Sequence, residues 1–283
     1  MISVLLPTDF SENSMNAITY ALEFFKHQKT EFFVMHAYQN DVYDHEKLVS
    51  REDFDEVLEE VRNQSHTNLD NLLQTVKKIS PNPKFTFHTI SSYNPLVEEV
   101  NLIAKAKNID LIVMGTKGKS NEHHIVFGSQ TFQVLKYVRC PVLAIPSNYT
   151  NAQPKHILFP TDYLIPYKRR ELKLLCDLTA SYKSVIDVVY VSKSDKLSMR
   201  QEDNREFLKE TICKTEVNFH IVKSKNVAET IQNYIKDNAI DLLVMVNTQY
   251  SFLEDMLFPS TIDKVSLDLK IPLLALQNST RSL

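Results

Sequence analysis

Glycine is nearly absent from this sequence. There are three in 283 residues, where an ordinary chain carries about 7%, or roughly twenty. All three, Gly115, Gly118 and Gly128, fall within one span of fourteen residues. Glycine permits positive φ and close approach of backbone to a ligand, so the chain concentrates a backbone requirement in one place. Cysteine is also scarce. Cys140, Cys176 and Cys213 are odd in number and lack C-x-x-C spacing, which gives no metal-finger or disulfide framework and fits a reducing cytoplasm. No apolar run approaches the roughly eighteen residues a membrane span requires. The opening MISVLLPTDFS meets Pro7 and Asp9 too early for a signal peptide and reads as a first strand. A formal net charge of −3 supplies no basic field for nucleic acid. Hydrophobic residues at 43% and charged residues at 24% describe an ordinary soluble chain with room for two domains.

What is present centres on Asp110 to Pro146. Asp110 to Met114 (DLIVM) reads as a buried strand that Gly115 ends. A polar loop follows with Lys117, Lys119 and Ser120, and after Gly128-Ser129 a helical pattern places Phe132, Leu135 and Val138 on one face. A loop between a strand end and a helix start collects free N–H groups and the positive end of the helix dipole, which makes an anion site. Two common phosphate loops fail on spacing. Walker A would place its first glycine at Val113, inside the strand, and the dinucleotide fingerprint G-x-G-x-x-G does not occur. The pattern here is G-x2-G-x9-G-[ST], between a hydrophobic strand and a helix. It resembles the ATP-binding motif of the universal stress protein family at every fixed position.

The chain also repeats itself. Val4-Leu5-Leu6-Pro7-Thr8-Asp9-Phe10 returns as Ile157-Leu158-Phe159-Pro160-Thr161-Asp162-Tyr163, at an offset of 153. Asp110 to Met114 returns as Asp241 to Met245, and Cys140 to Ala144 as Ile271 to Ala275, both at an offset of 131. The first half therefore carries about 22 extra residues, an acidic, histidine-containing insert near Asp41 to Glu56 that reads as a solvated loop and helix start or as a lid. Two copies of one domain are expected, at 1–149 and 150–283. Each alternates strand and helix, which predicts a doubly wound α/β fold with a parallel sheet covered by helices on both faces. The ligand of such a sheet sits beyond the carboxyl ends of its strands, which brings Thr8-Asp9, His36-Ala37 and Gly115 to one crevice.

The resemblance, which spans nearly the whole chain, implies more. It implies five strands per copy in the order 3-2-1-4-5 and pairing of the two copies through strand 5 into an internal pseudo-dimer; a homodimer of whole chains stays open beside it. It implies ATP, with or without magnesium, in the first copy. The nucleotide-binding set is then Thr8, Asp9, Ala37, Met114, Gly115, Lys117, Gly118, Gly128, Ser129 and Gln130, with Asp9 near the ribose, Ala37 near the adenine and the glycines and Ser129 at the triphosphate. The function implied is a cytoplasmic, regulatory stress-response role.

The second copy departs from the motif. Val246, Gln249 and Pro259 replace the three glycines, Ser260 keeps its type, and Thr248 and Tyr250 replace the lysines. A β-branched residue at a positive φ would be strained, and proline removes a donor, so the copy is expected to keep the fold without the phosphate cradle. Asp9 also reads as a turn or capping residue, Lys117 and Lys119 as solvated side chains, and Ser129 as a helix cap. His36 reads as packed or hydrogen-bonded, and Cys140 as a core thiol. His123-His124 lack a third metal ligand at workable spacing. No nucleophile–base pair and no water-positioning acid can be assembled, so the alternatives to a nucleotide-binding regulator are a nucleotide-free scaffold of the same fold and a slow ATPase.

Overall fold

The run Ile2–Pro7 forms the first strand, β1, and Val4, Leu5 and Leu6 within it are fully buried. A strand buried on both faces belongs to the middle of a parallel sheet covered by helices. The computed structural model describes residues 1–49, 53–117, 128–194, 196–212, 216–247 and 269–278, and the chain divides into two units, Met1–Ala152 and Gln153–Leu283.

In the first unit β1 is followed by α1 (Glu12–Phe24), β2 (Thr30–Ala37), α2 (Gln39–Tyr43), α3 (Glu46–Val49), α4 (Phe54–Ile79), β3 (Phe85–Ser92), α5 (Leu96–Ala106), β4 (Leu111–Gly115), α6 (Ser129–Tyr137) and β5 (Val142–Ile145). The second unit contains β6 (His156–Thr161), α7 (Arg169–Thr179), β7 (Val185–Ser192), α8 (Met199–Thr211), β8 (Val217–Lys223), α9 (Val227–Asp237), β9 (Leu242–Asn247) and β10 (Leu273–Gln277). Strands neighbour one another in the order β3-β2-β1-β4-β5 in the first unit and β8-β7-β6-β9-β10 in the second. Every pairing named here is parallel. Each unit therefore has the order 3-2-1-4-5.

Repeated residues hold repeated positions. Asp110, just before β4, accepts a hydrogen bond from the Ser3 N–H at 2.9 Å. Its counterpart Asp241 accepts from Lys155 and His156 at 2.8 and 3.0 Å. One carboxylate per unit thus fastens the start of the fourth strand to the start of the first. At the other end of the central strand the repeated Thr-Asp-aromatic triplet forms a turn. Thr8 Oγ1 accepts from the Phe10 N–H at 3.0 Å and Asp9 from the Ser11 N–H at 3.1 Å. Thr161 and Asp162 do the same for Tyr163 and Leu164 at 2.9 and 2.8 Å. These are side-chain mimics of backbone turns, and they hold Phe10 and Tyr163 at φ of 62° and 56°.

The insert is more ordered than a solvated loop. Val42 of α2 is buried with Tyr38, Val57 and Val61, and Leu48, Leu58 and Tyr93 pack against this cluster. The extra residues therefore build a small core of their own on the N-terminal turns of α4. Cys140 is a buried free thiol that donates to the Ile109 carbonyl.

Glu171, in the first turn of α7, is 2% exposed. One carboxyl oxygen accepts from the Lys168 N–H at 3.4 Å, and Oε1 has no partner. Burial raises its pKa from the ordinary 4.5 to about 7, against the lowering effects of the Lys168 backbone bond, Lys168 and Arg170. A raised carboxyl pKa means that the unfolded chain gives up its proton first, so stability falls as pH rises from 4.5 to about 7 and is flat above that window. Glu171→Gln should remove this decline. Thermal unfolding followed from pH 4 to pH 8 checks it, with the variant gaining on the wild type as pH rises.

Candidate functional site

Beyond the carboxyl end of β1 lies a cavity of about 320 Å³. Of the ten residues expected to bind nucleotide, nine line it: Thr8, Asp9, Ala37, Met114, Gly115, Lys117, Gly128, Ser129 and Gln130. The tenth, Gly118, lies outside the described residues, as do Lys119, Ser120, His123 and His124. The order 3-2-1-4-5 places β2 and β4 on either side of β1, so the cavity runs across the end of β1, from the chain after β4 to the chain after β2.

The β4 side is built to receive an anion. Gly128 caps α6 with extended backbone, φ −60° and ψ 156°, and as glycine it offers no side-chain acceptor to the helix start. The first amides of a helix have no acceptor within it, and the cap residue itself supplies none. Gly128 cannot itself donate to a ligand, because its N–H bonds the Thr116 carbonyl at 2.8 Å. That bond closes the base of the loop. Ser129 is thus the first helical residue and not the cap. Thr131 anchors α6 from below, donating to the Gly115 carbonyl at 2.9 Å.

Gly115 is required for a different reason from the one its loop suggests. No described glycine has a positive φ. Gly115 is the last residue of β4, and a Cβ there would meet the Asn13 carbonyl oxygen at 3.0 Å and its carbon at 3.2 Å. The first turn of α1 lies close against the strand end, so any side chain there requires the Asn13 backbone to shift by a few tenths of an ångström. The same finding corrects the account of Val246, its counterpart, which sits inside β9 and is buried without a positive φ. Nor does the second unit place a helix start at the same point. At the offset of 153, Glu12 aligns with Ile165, yet α7 begins at Arg169, about one turn later. Gln249, Pro259 and Ser260, with Thr248 and Tyr250, lie outside the described residues.

Around the cavity floor, Thr8 Oγ1 and Ser14 Oγ are 3.0 Å apart. The counterparts of this pair are Thr161 and Tyr167, whose hydroxyls also bond. Tyr167 is 6% exposed and meets Phe159 edge-on, and burial pushes its hydroxyl pKa up. A tyrosine therefore stands in the second unit where a serine borders open space in the first.

The β2 side of the cavity is acidic. Asp9, Asp41 and Asp44 line it, with His36 and Asn40. His36 is 5% exposed; its Nδ1 lies 2.9 Å from Ser65 Oγ and its Nε2 3.0 Å from an Asp41 carboxylate oxygen. Ser65 in turn bonds Ser91 at 2.7 Å, and the Phe10 ring lies 4.6 Å from the imidazole. Asp9 accepts from the Ser11 hydroxyl at 2.6 Å as well as from its N–H. The turn role of Asp9 and its place in the cavity wall hold together. The contribution of α2 escaped sequence reasoning. The signal available for it was Val42, an apolar residue among polar neighbours directly after a strand. Among the described residues no group of three or more His, Cys, Asp or Glu could hold a metal ion, and no helix is long and apolar enough to cross a membrane.

Comparison with known proteins agrees with this architecture. The model of the Universal stress protein family matches twice, over residues 2–146 and 154–277. Universal stress protein MJ0577 of Methanocaldococcus jannaschii is 28% identical over 155 residues, which cover 50% of this chain and 93% of that protein. YxiE of Bacillus subtilis, also a universal stress protein, is 26% identical over 143 residues, 50% of this chain and 97% of its own. The crystal structure of a universal stress protein from Archaeoglobus fulgidus superposes over 98% of both chains with a TM-score of 0.70 at 21% identity, a likeness of fold.

The contact at Gly115 is open to test. Gly115→Val forces a branched side chain against the Asn13 backbone and should destabilise the first unit by about 1–3 kcal/mol. Denaturant unfolding of the variant beside wild type measures it; an unchanged midpoint would show that α1 is not held against β4.

Proposed function

This chain belongs to the universal stress protein family, and from that premise we propose that its first unit binds ATP while its second serves as a structural partner, the whole acting as a cytoplasmic, regulatory stress-response protein. The observation that carries the reading is the convergence of nine of the ten expected residues on one cavity, beside a helix start whose cap is a glycine. A helix N-terminus stabilises phosphate through hydrogen bonds and its dipole. The cavity is of the size that small-molecule sites occupy. The second unit lacks the glycines in sequence, and its buried Tyr167 stands where the cavity residue Ser14 does. One nucleotide per chain follows. Magnesium would accompany the phosphates as their counterion.

The same reading pairs the two copies through their last strands, β5 and β10, into an internal pseudo-dimer. Both are apolar, and an apolar strand at the end of a sheet invites pairing. Halves 1–149 and 150–283, expressed separately, should co-elute on size exclusion; separate elution of two folded halves refutes the pairing.

Mass spectrometry of ligand released from freshly purified protein identifies the nucleotide. Calorimetric titration should give one ATP site per chain and none in the second half alone. Gly128→Glu would set a carboxylate at the start of α6, against the phosphates, and disturb several charge-assisted bonds worth about 1.5–3 kcal/mol each. A micromolar ligand has only about 8 kcal/mol in all, so binding should fall below detection with the circular dichroism spectrum unchanged. Lys117→Ala acts through solvent-screened attraction of about 1 kcal/mol or less and should weaken binding only several-fold. Wild-type affinity in Gly128→Glu would refute the nucleotide reading.

A further inference from the structure

The two sides of the cavity differ in charge, and this orients any nucleotide in it. The glycine-capped start of α6 and Lys117 lie on the β4 side, while Asp41 and Asp44 lie on the β2 side, on and just after α2. Phosphates are repelled by the second group and held by the first, so the base and sugar face α2. The polar groups there are not equally available. Asp9 is bonded to Ser11 and Asp41 to His36. Asn40 and Asp44 remain. They are four residues apart, and the Asp44 N–H donates to the Asn40 carbonyl at 2.8 Å, which puts both side chains on one face of the turn. Both residues are exposed and both line the cavity. Val42, fully buried in the cluster with Tyr38, Val57 and Val61, holds that turn in place. The second copy is shorter by the length of the insert and has no counterpart of this wall in sequence.

We propose that Asn40 and Asp44 read the base, Asp44 accepting a hydrogen bond from an exocyclic amino group and Asn40 supporting it, so that α2 selects an amino-bearing purine. The proposal rests on the nucleotide reading above and adds the residues that decide which base enters. A carboxylate only accepts hydrogen bonds, so it favours an edge that presents donors. An ionised acceptor is also stronger than a neutral amide, which makes Asp44 the dominant contact.

The test is a ligand–residue cycle on the full chain. ATP and purine riboside triphosphate, the same molecule without its 6-amino group, are titrated into wild type, Asp44→Ala and Asn40→Ala. Loss of one hydrogen bond to a charged acceptor corresponds to about tenfold in affinity. Wild type should prefer ATP by that factor. Asp44→Ala should lose the preference by weakening ATP alone, with the deamino analogue bound as by wild type. Asn40→Ala should reduce it by less. Equal wild-type affinity for the two ligands overturns the proposal and leaves the nucleotide reading standing. So does an undiminished preference in Asp44→Ala. Failure of the wild type to bind either ligand overturns both.

Discussion

The start of α1 rests against the end of β4, with the Asn13 carbonyl 3.0 Å from where a Gly115 side chain would begin. The site in the first unit depends on this approach. It brings Ser14 up to Thr8. It also leaves the Gly115 carbonyl to Thr131, which seats α6 with its glycine-capped end towards the cavity. A strand end, a turn and two helix starts thereby meet around one volume. The second unit lacks the glycine, starts its helix a turn later and packs a tyrosine into the corresponding place.

Much of the fold was legible because its signals are local and repeated. Buried strands such as Val4 to Leu6 read as apolar runs, and their recurrence at fixed offsets exposed two copies with a common strand order. The β4 side of the cavity was legible because a chain with three glycines concentrates them at one strand–loop–helix junction. What sequence could not show was why each glycine is there. Positive φ and close approach are equally good reasons for glycine. Only the position of Asn13, over a hundred residues earlier in the chain, separates them for Gly115. Likewise Ser129 looks like a cap from its neighbours, yet the cap is Gly128, because the bond from its N–H to Thr116 sets where the helix begins.

The insert was misjudged for a related reason. Its composition is acidic and polar, and its apolar residues are too few and too widely spaced to show a helical period. They meet only when α4 comes alongside: Val42 and Leu48 from the insert, Val57, Leu58 and Val61 from the helix, and the aromatic rings of Tyr38 and Tyr93. A cluster of this kind orders a short helix that would not hold by itself in water.

The bond between Asp110 and the Ser3 N–H spans 107 residues, and it bears on the order in which this unit can assemble. The first strand made is the central one. It meets β2 early, but its other neighbour, β4, is synthesised only after the insert, the longest helix, the edge strand and α5 have been added. Until then one side of β1 is an open, largely apolar edge, the kind of surface that draws other chains. Contacts of such long sequence separation form late and slow folding. The aspartate that finally aligns β4 therefore closes the open side of a strand made long before it, so the nascent first unit carries an exposed apolar edge until just before the glycine loop is made.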